Sequence, residues 1–365
     1  MIRLKKYFLL LFTFIFPAFL YSEKRVVIFT PTSENNTYWP IVYRFLESAA
    51  DDLDMVIEIY EFDVQNRFAK NIDGVQILRE MVKPDAAIFS VAFGQAKPLA
   101  MAAEELGIPF FLQGPLFPSE LPEIGGSPRN ELENWIGYFY QNEEDKGYIL
   151  GKELIDMAIE KKLHDENGYI NVIGIGGGLT WFGSELRENG LRRAVDEYSE
   201  ARLLQIVPTQ WTQEEGRTKT SLLLNRYSDI SVVWTASDQL AMGASEALEE
   251  SELNREALTG GLDFSLNGLY SVQNSEIAAT VASTMFSYAE ILIYLFDYLN
   301  GIDFIHDIGT EIQTGLYTAT TNNVHEYLDL YSNLESIDFR IFSKVYNDDL
   351  EKYDFSLKTL EAAIY

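Results

Sequence analysis

The sequence predicts an α/β protein with two doubly wound parallel-sheet lobes, and three observations carry this prediction. Short apolar runs alternate with helical patterns along most of the 365 residues, which is the arrangement of βαβ units. Each run is apolar throughout, as expected of a parallel strand that helices cover on both faces. The alternation breaks once, near residues 114–134, and then restarts. The chain therefore contains two similar halves.

The first half begins with a strand at residues 26–29, where four apolar residues follow one another. Apolar residues in the next segment lie three and four positions apart, on one face of a helix. The same reasoning predicts strands at residues 26–29, 56–62, 86–91 and 108–112, and helices at residues 41–53, 72–82 and 96–106. Pro84 ends the second helix, because proline cannot donate a helical hydrogen bond.

The break at residues 114–134 contains four prolines and two adjacent glycines, which predicts a long surface loop at the edge of a lobe. In the second half, the same pattern of apolar residues predicts strands at residues 170–175, 203–207, 232–235, 258–262 and 278–282. It predicts helices at residues 184–198, around 222–224, 240–248 and 285–299. The segment from residue 324 onward is rich in aromatic and acidic residues, which predicts a packed tail. Two open parallel sheets leave a cleft at the carboxyl ends of their strands, where ligands of such folds bind.

The composition excludes several classes of function. The chain has 28 Lys and Arg against 56 Asp and Glu, a net charge of -28, and so acidic a surface repels nucleic acids and anionic membranes. It has no cysteine, which removes disulfides, iron–sulfur clusters and thiol nucleophiles. Its three histidines, His164, His306 and His325, are far apart in sequence. We therefore expect no metal and no cofactor.

The motifs of common enzyme sites are also missing from the sequence. There is no Gly-x-Ser-x-Gly elbow, no His-Glu-x-x-His motif and no phosphate-binding loop. A glycoside hydrolase with two carboxylates is the alternative, but 56 acidic residues produce such pairs by chance. We expect a binding protein and not an enzyme.

Residues 1–22 have the pattern of an export signal. A cationic start with Arg3, Lys5 and Lys6 precedes an apolar run at residues 8–20, which is shorter than the ~20 residues that span a membrane. Ser22 is a suitable small residue at the cleavage point. We expect removal of this signal and a Gram-negative periplasmic location; an uncleaved anchor is the alternative.

The loop after the first strand combines an amide side chain, Asn36, with two aromatic side chains, Tyr38 and Trp39. Aromatic faces suit the C–H face of a sugar ring, and an amide both donates to and accepts from hydroxyls. The alternative is that the two rings only pack against the start of the following helix.

Further polar and aromatic candidates follow strands of the second half. A glycine-rich turn at residues 174–178 lacks the third glycine of a dinucleotide site and lets Trp181 approach the cleft. Arg187 lies near the start of the next helix, where a cation is unfavourable without a partner. That partner is a ligand hydroxyl or a carboxylate, unless Arg187 is simply solvated. Trp211, Ser237, Asp238 and Asp263 also follow strands, although Ser and Asp there are also common helix caps.

These residues together resemble the type I periplasmic binding proteins, in the ribose-type sugar-binding branch. The resemblance covers about residues 25–322. Its most specific parts are Trp234-Thr235-Ala236-Ser237-Asp238-Gln239-Leu240-Ala241-Met242-Gly243-Ala244 and Gly261-Leu262-Asp263. The stretch Asn35-Asn36-Thr37-Tyr38-Trp39 is similar to the family's first sugar-binding loop. By resemblance, the ligand-binding residues are Asn36, Tyr38, Trp39, Gln113, Arg187, Trp211, Ser237, Asp238 and Asp263.

The resemblance implies a three-strand hinge between an N-terminal lobe of residues 25–141 plus 284–311 and a C-terminal lobe of residues 142–283 plus 312–365. It implies a sugar-like ligand in the cleft and a partner that is either the permease of an ABC importer or a membrane sensor, as for the similar autoinducer-2 receptors. Three positions depart from the family pattern: Ser237, Leu262 and Ser283. They argue against ribose itself. A single cation, Arg187, favours a neutral polyol over a borate diester.

Overall fold

The computed structural model describes residues 23–32, 39–63, 67–92, 94–251, 256–283 and 286–364. The expected signal segment and two of the expected ligand-binding residues, Asn36 and Tyr38, lie outside the described residues.

The chain alternates strands and helices along most of its length. Up to the first crossing between the sheets, the elements are β1 (Lys24–Thr32), α1 (Trp39–Asp52), β2 (Met55–Asp63), α2 (Arg67–Glu80), β3 (Ala86–Ser90), α3 (Ala96–Leu106), β4 (Phe110–Gln113) and β5 (Trp135–Tyr140). The second sheet and its helices then follow as α4 (Glu143–Glu160), β6 (Ile170–Ile175), α5 (Phe182–Asp196), β7 (Ala201–Val207), α6 (Gln213–Arg226), β8 (Val232–Thr235), α7 (Asp238–Glu250), β9 (Leu258–Leu262), α8 (Leu266–Gln273) and β10 (Ala279–Ala282).

The remaining elements return to the first sheet, cross back and form the tail. They are α9 (Ser287–Leu299), α10 (Ile305–Ile308), β11 (Glu311–Gln313), β12 (Tyr317–Thr320), α11 (Val324–Ser332) and α12 (Leu357–Ala362).

Two six-stranded sheets form the two lobes. The strand orders are β11-β5-β4-β3-β1-β2 and β12-β10-β9-β8-β6-β7. The pairs within both sheets are parallel, apart from β10 with β12. Interior strands such as β3, β4 and β6 are buried along their whole length, because helices cover both faces. The predicted fold class is confirmed.

The sequence analysis missed two adjacent elements, β5 and α4. The loop at residues 114–134 leads into β5 of the same sheet, so the chain does not leave the first lobe there. The crossing follows β5, and α4 begins directly afterwards with Asn142 as its cap: the Asn142 side chain accepts from the Asp145 N–H at 3.0 Å. Three acidic residues lie in the first turn of α4, where the positive end of the helix dipole stabilises their negative charge.

The chain passes between the sheets three times: after β5, after β10 and between β11 and β12. The expected lobe boundary at residue 311 divides β11, whose three residues all pair with β5 in the first sheet.

The tail also departs from the expected partition, which gave it to the second lobe. Residues from about 339 onward bind helices of the first lobe. The Phe339 N–H donates to Asp52 of α1 at 2.7 Å, and Asp297 of α9 accepts from the Lys344 N–H at 2.8 Å and the Tyr353 hydroxyl at 2.7 Å. The buried carboxylate of Asp297 needs these donors, and the tail supplies them.

Candidate ligand-binding site

A cavity of about 260 Å³ lies between the lobes, at the carboxyl ends of the strands of both sheets. Residues at or just after the ends of β3, β4, β5, β8 and β9 contribute to its lining: Ser90, Gln113, Gln141, Ser237 and Asp263. Parallel strands bring their carboxyl ends to one edge, so residues distant in sequence meet here. The cavity lies where the sequence predicted a cleft.

Arg187 lies at the centre of the second-lobe side of the cavity, and its side chain is 5% exposed. Its Nε donates to Glu143 at 2.6 Å, one terminal nitrogen donates to the Ala236 carbonyl at 2.5 Å, and the other donates to Asp263 at 3.1 Å. Glu143 also pairs with Lys146 at 3.1 Å. Two cations and two carboxylates thus balance each other in a buried network, which avoids the large cost of an unpaired buried charge.

Burial and the neighbouring charges together set the pKa values of the ionisable groups in this network. Burial acts to raise the pKa of Glu143, but the nearby charges of Arg187 and Lys146 outweigh burial and lower it. Burial lowers the pKa of Lys146, partly opposed by Glu143. Burial raises the pKa of Asp263, and the charge of Arg187 opposes this shift. Because the opposite charges are adjacent, the network is close to neutral and favours a neutral ligand over an ionic one.

Glycines bring the two helices that carry this network into close contact. A Cβ atom on Gly147 of α4 would lie 2.0 Å from the backbone oxygen of Arg187, and one on Gly190 of α5 would lie 2.0 Å from that of Glu144. No side chain fits in either place. The close approach of α4 and α5 sets Glu143 beside Arg187.

Two tryptophans cover the guanidinium of Arg187. Its carbon lies 4.9 Å from the ring centre of Trp181 and 5.9 Å from that of Trp211, and the two indoles meet edge to face at 5.8 Å. A Cβ atom on Gly177 would lie 2.1 Å from the Trp211 ring. The glycine-rich turn therefore makes room for Trp211, whereas the sequence analysis expected it to make room for Trp181.

Three non-glycine residues in or beside the cavity lining have a left-handed backbone. Trp211, Asp263 and Phe264 have φ values of 69°, 117° and 53°, which cost roughly 1–3 kcal/mol each in a residue other than glycine. Such strain persists only where the surroundings hold it, and it is common at ligand sites. The strained residues include two that line the cavity, Trp211 and Asp263.

Asp238 fixes the loop that follows β9. One of its oxygens accepts from the Ser265 N–H at 2.7 Å and the Ser265 hydroxyl at 2.9 Å, and the other accepts from Thr280 at 2.5 Å. Burial, and after it the charge of Asp263, raises the pKa of Asp238 to about 7, although these hydrogen bonds act to lower it. Ser237 caps α7 by accepting from the Leu240 N–H at 3.3 Å.

The first-lobe side of the cavity is aromatic and amide in character. Trp39, at the start of α1, meets the ring of Tyr288 edge to face at 5.5 Å. The Tyr288 hydroxyl donates to the Gln113 side chain at 2.6 Å. Among the first-lobe lining residues that the structure describes there is no charged side chain.

Seven of the nine expected ligand-binding residues line this cavity: Trp39, Gln113, Arg187, Trp211, Ser237, Asp238 and Asp263. Sequence reasoning missed Glu143, Lys146 and Tyr288, and it gave Trp181 no binding role. Lys146 is a second cation, so the argument from a single cation does not hold. The charge balance with Glu143 and Asp263 still supports a neutral ligand. The cap at Asn142 is the signal that predicts a helix start beside Glu143.

Within the described part of the chain, no group of three or more acidic or histidine side chains is arranged to hold a metal ion. The described helices include none with the length and apolar character of a membrane span.

Comparisons with known proteins agree with this geometry. A family model described as "Periplasmic binding protein domain" matches residues 26–302. The ribose import binding protein RbsB of Haemophilus influenzae is 27% identical over 134 residues, which are 37% of this chain and 44% of that protein. The chain thus spans less than half the length of this curated relative.

Two solved structures share the fold. A periplasmic sugar-binding protein from Pseudomonas fluorescens aligns with a TM-score of 0.80 and 24% identity, covering 93% of this chain and 99% of that chain. The fructose-binding periplasmic domain of a hybrid two-component system aligns with a TM-score of 0.68 and 18% identity, covering 87% of this chain and 100% of that chain.

Proposed function

The chain belongs to the periplasmic binding protein family, in its type I, ribose-type branch, and from this premise we propose that it captures a neutral, sugar-like molecule in the cleft between its lobes. The observation that carries the proposal is the Arg187–Asp263 pair at 3.1 Å with Trp211 beside it. The pair offers hydroxyl groups a donor and an acceptor, and the indole offers a flat apolar face.

The ligand is held from both lobes in this proposal. Tyr38 and Trp39 of the first lobe and Trp211 of the second lobe sandwich the sugar-like ring. Arg187 and Asp263 bind the hydroxyls. Four further side chains complete the polar set: Asn36, Gln113, Ser237 and Asp238. Because the ligand contacts both lobes, binding favours the closed arrangement about the three crossings.

A partner protein in the membrane recognises the closed form. We assign that partner as the membrane permease of an ABC importer, with this protein exported to the periplasm after removal of residues 1–22. Members of this family bind and deliver solutes, and catalysis forms no part of the proposal. Mass spectrometry of the secreted protein tests the cleavage, which we expect after Ser22.

A sensor partner is the second candidate, because a domain of this fold occurs in a hybrid two-component system. Both partners require the same cavity. Cross-linking of the ligand-loaded protein in membranes of its own cells distinguishes them: capture of a permease supports import, and capture of a sensor protein supports signalling.

A thermal-shift screen of the mature protein tests the ligand class. The screen includes pentoses, hexoses, polyols, autoinducer-2, amino acids and peptides. A ligand at about 100 times its dissociation constant adds roughly 2.7 kcal/mol to the free energy of unfolding. We expect a shift with at least one sugar or polyol. A shift with amino acids or peptides only would show that the ligand is not sugar-like and would leave the fold assignment intact.

Two variants test the site with the ligand that the screen identifies. Asp263→Ala leaves buried polar partners unsatisfied, which costs roughly 1–3 kcal/mol, and we expect binding to weaken about ten- to a hundredfold. Trp211→Ala removes the stacking face and weakens binding as well. Unchanged affinity in both variants, measured by calorimetry, would show that the ligand binds elsewhere.

A further inference from the structure

The loop that carries Asp263 has an unusual backbone. Asp263 and Phe264 are consecutive residues with positive φ, and neither is a glycine. A left-handed backbone at a bulky residue such as Phe264 persists only where other contacts hold it in place. The position of the Asp263 carboxylate beside Arg187 therefore depends on whatever fixes Phe264.

Contacts fix this loop from two sides. On the side of the second lobe, Asp238 accepts from the N–H and the hydroxyl of Ser265. On the opposite side, the hydroxyl of Tyr331 donates to the carbonyl oxygen of Phe264 at 3.2 Å, and both residues are buried. The ring of Tyr327 packs on the ring of Phe264 at 4.7 Å.

Tyr331 comes from the tail and not from either sheet. It lies on α11, beyond residue 302, where the match to the family model ends. Its ring meets Phe45 of α1 edge to face at 5.7 Å. The helix α11 is thus wedged between the first lobe and the ligand loop of the second lobe.

We propose that Tyr331 is a positioning residue for ligand binding: its hydroxyl fixes the carbonyl of Phe264 and so holds the left-handed backbone that turns Asp263 toward Arg187 and the cavity. The proposal rests on the proposed function in one respect, namely that Asp263 binds the ligand. It makes α11 a part of the binding machinery, although α11 lines no part of the cavity that the structure describes.

Amide hydrogen exchange of the ligand-free protein tests the positioning without any ligand. Tyr331→Phe removes one hydroxyl and leaves the ring. We expect faster exchange at Ser265, whose N–H donates to Asp238, and at Gly268, whose N–H donates to the Ser265 hydroxyl. The expected acceleration is about threefold to tenfold, the effect of one net hydrogen bond. Tyr353→Phe is the matched control, because it removes a hydrogen bond between the tail and Asp297. The control should accelerate exchange near Lys344 and leave Ser265 unchanged.

The proposal would be overturned if the Ser265 amide exchanged at the same rate in Tyr331→Phe as in the wild type. A uniform acceleration over the whole chain would also overturn it, because that result describes a general loss of stability. Equal acceleration at Ser265 in Tyr353→Phe would reduce Tyr331 to one of several attachments of the tail and would likewise contradict a positioning role.

Calorimetry with D-ribose, D-allose and myo-inositol then measures the consequence for binding. We expect Tyr331→Phe to weaken the tightest of the three about threefold to tenfold, and Tyr353→Phe to leave it unchanged. In an Asp263→Asn background, Tyr331→Phe should have no further effect, because the two residues act as a unit. Additive losses would overturn the proposal. If none of the three binds to the wild type, that result counts against the proposed ligand class, and the exchange experiment still decides the role of Tyr331.

Discussion

The two sides of the cavity are built from different chemistry. Among the described lining residues, every charged side chain belongs to the second lobe: Glu143, Lys146, Arg187, Asp238 and Asp263. The first lobe contributes aromatic rings and amides, with Tyr288 in contact with both Trp39 and Gln113. We call these the charged wall and the aromatic wall.

The difference can be explained by the electrostatic cost of separating the contacts of each wall when the cleft opens. A buried ion pair is stable only while both partners stay together, since separating them leaves an uncompensated charge. The ion pairs of the charged wall all join residues of the second lobe, so hinge motion does not break them. An aromatic face can leave and return at little electrostatic cost. We therefore expect the charged wall to bind the ligand first and the aromatic wall to close over it.

The largest expected effect comes from breaking the charged wall. Arg187→Met keeps roughly the volume of the side chain, but it leaves Asp263 without its ion-pair partner and Glu143 paired with Lys146 alone. We expect a loss of about 3–5 kcal/mol in the free energy of unfolding, measured by urea denaturation. The control Arg193→Met removes two surface ion pairs, with Glu144 and Asp145, from the same helix. The Arg193 side chain is 41% exposed, so the loss should be less than about 1 kcal/mol. Equal losses would show that the network contributes no more than a surface pair.

The charged wall should also make stability depend on pH. The pKa of Asp238 is raised to about 7 in the folded protein, so the folded state binds more protons than the unfolded state. Its contribution is therefore present at low pH and is lost as pH rises through about 7. We expect wild type to lose about 2–3 kcal/mol relative to Asp238→Asn between pH 5 and pH 8. Parallel stability curves for the two proteins would contradict this assignment.

One matched pair of substitutions compares the walls directly. Asp263→Asn removes a charge-assisted hydrogen bond and should weaken ligand binding about ten- to a hundredfold, whereas Gln113→Leu removes a neutral one and should weaken binding about two- to tenfold. Calorimetry with the ligand from the screen measures both. A larger loss of affinity in Gln113→Leu than in Asp263→Asn would show that the aromatic wall contributes more to binding than the charged wall, contrary to our expectation.

The smallest expected effect concerns an aromatic contact between the lobes, close in sequence to the cavity-lining residues Pro115 and Trp181. Phe117 of the first lobe and Phe182 of the second have ring centres 4.7 Å apart. A double-mutant cycle with Phe117→Ala and Phe182→Ala should give a coupling of about 0.5–1.5 kcal/mol in ligand affinity. Leu179→Ala, an exposed neighbour, is the control. Strict additivity would show that the pair does not contribute to closure.

Sequence reasoning found part of each wall, and it missed Tyr288 of the aromatic wall as well as Glu143 and Lys146 of the charged wall. Gln113 ends β4, and Trp39 begins the helix that follows β1. Apolar runs reveal both strands, so the topology brings these two residues to the cleft. Glu143 and Lys146 begin a helix with three acidic residues in its first turn, a pattern typical of a solvent-exposed helix start. Only the neighbouring helix, with Arg187, makes their burial possible. Pairwise burial of charges is a tertiary property that one segment does not encode.

The missed strand β5 has a similar explanation. Its sequence is short and aromatic and follows a loop rich in proline, so it does not stand out as a separate run. In α4, Gly147 and Gly151 interrupt the apolar periodicity. Their spacing of four residues is the signal of close helix packing, and the structure uses both glycines against α5.

The glycine contact between α4 and α5 bears on how such a protein acquires new ligands during evolution. Any side chain at Gly147 or Gly190 would push the helices apart and displace Glu143 and Arg187 together, since protein interiors transmit such strain. Mutational drift is therefore restricted on the charged wall. Trp39, Gln113 and Tyr288 can change one at a time without exposing a charge. We expect descendants of this protein to diversify their ligands through the aromatic wall while they inherit the charged wall unchanged.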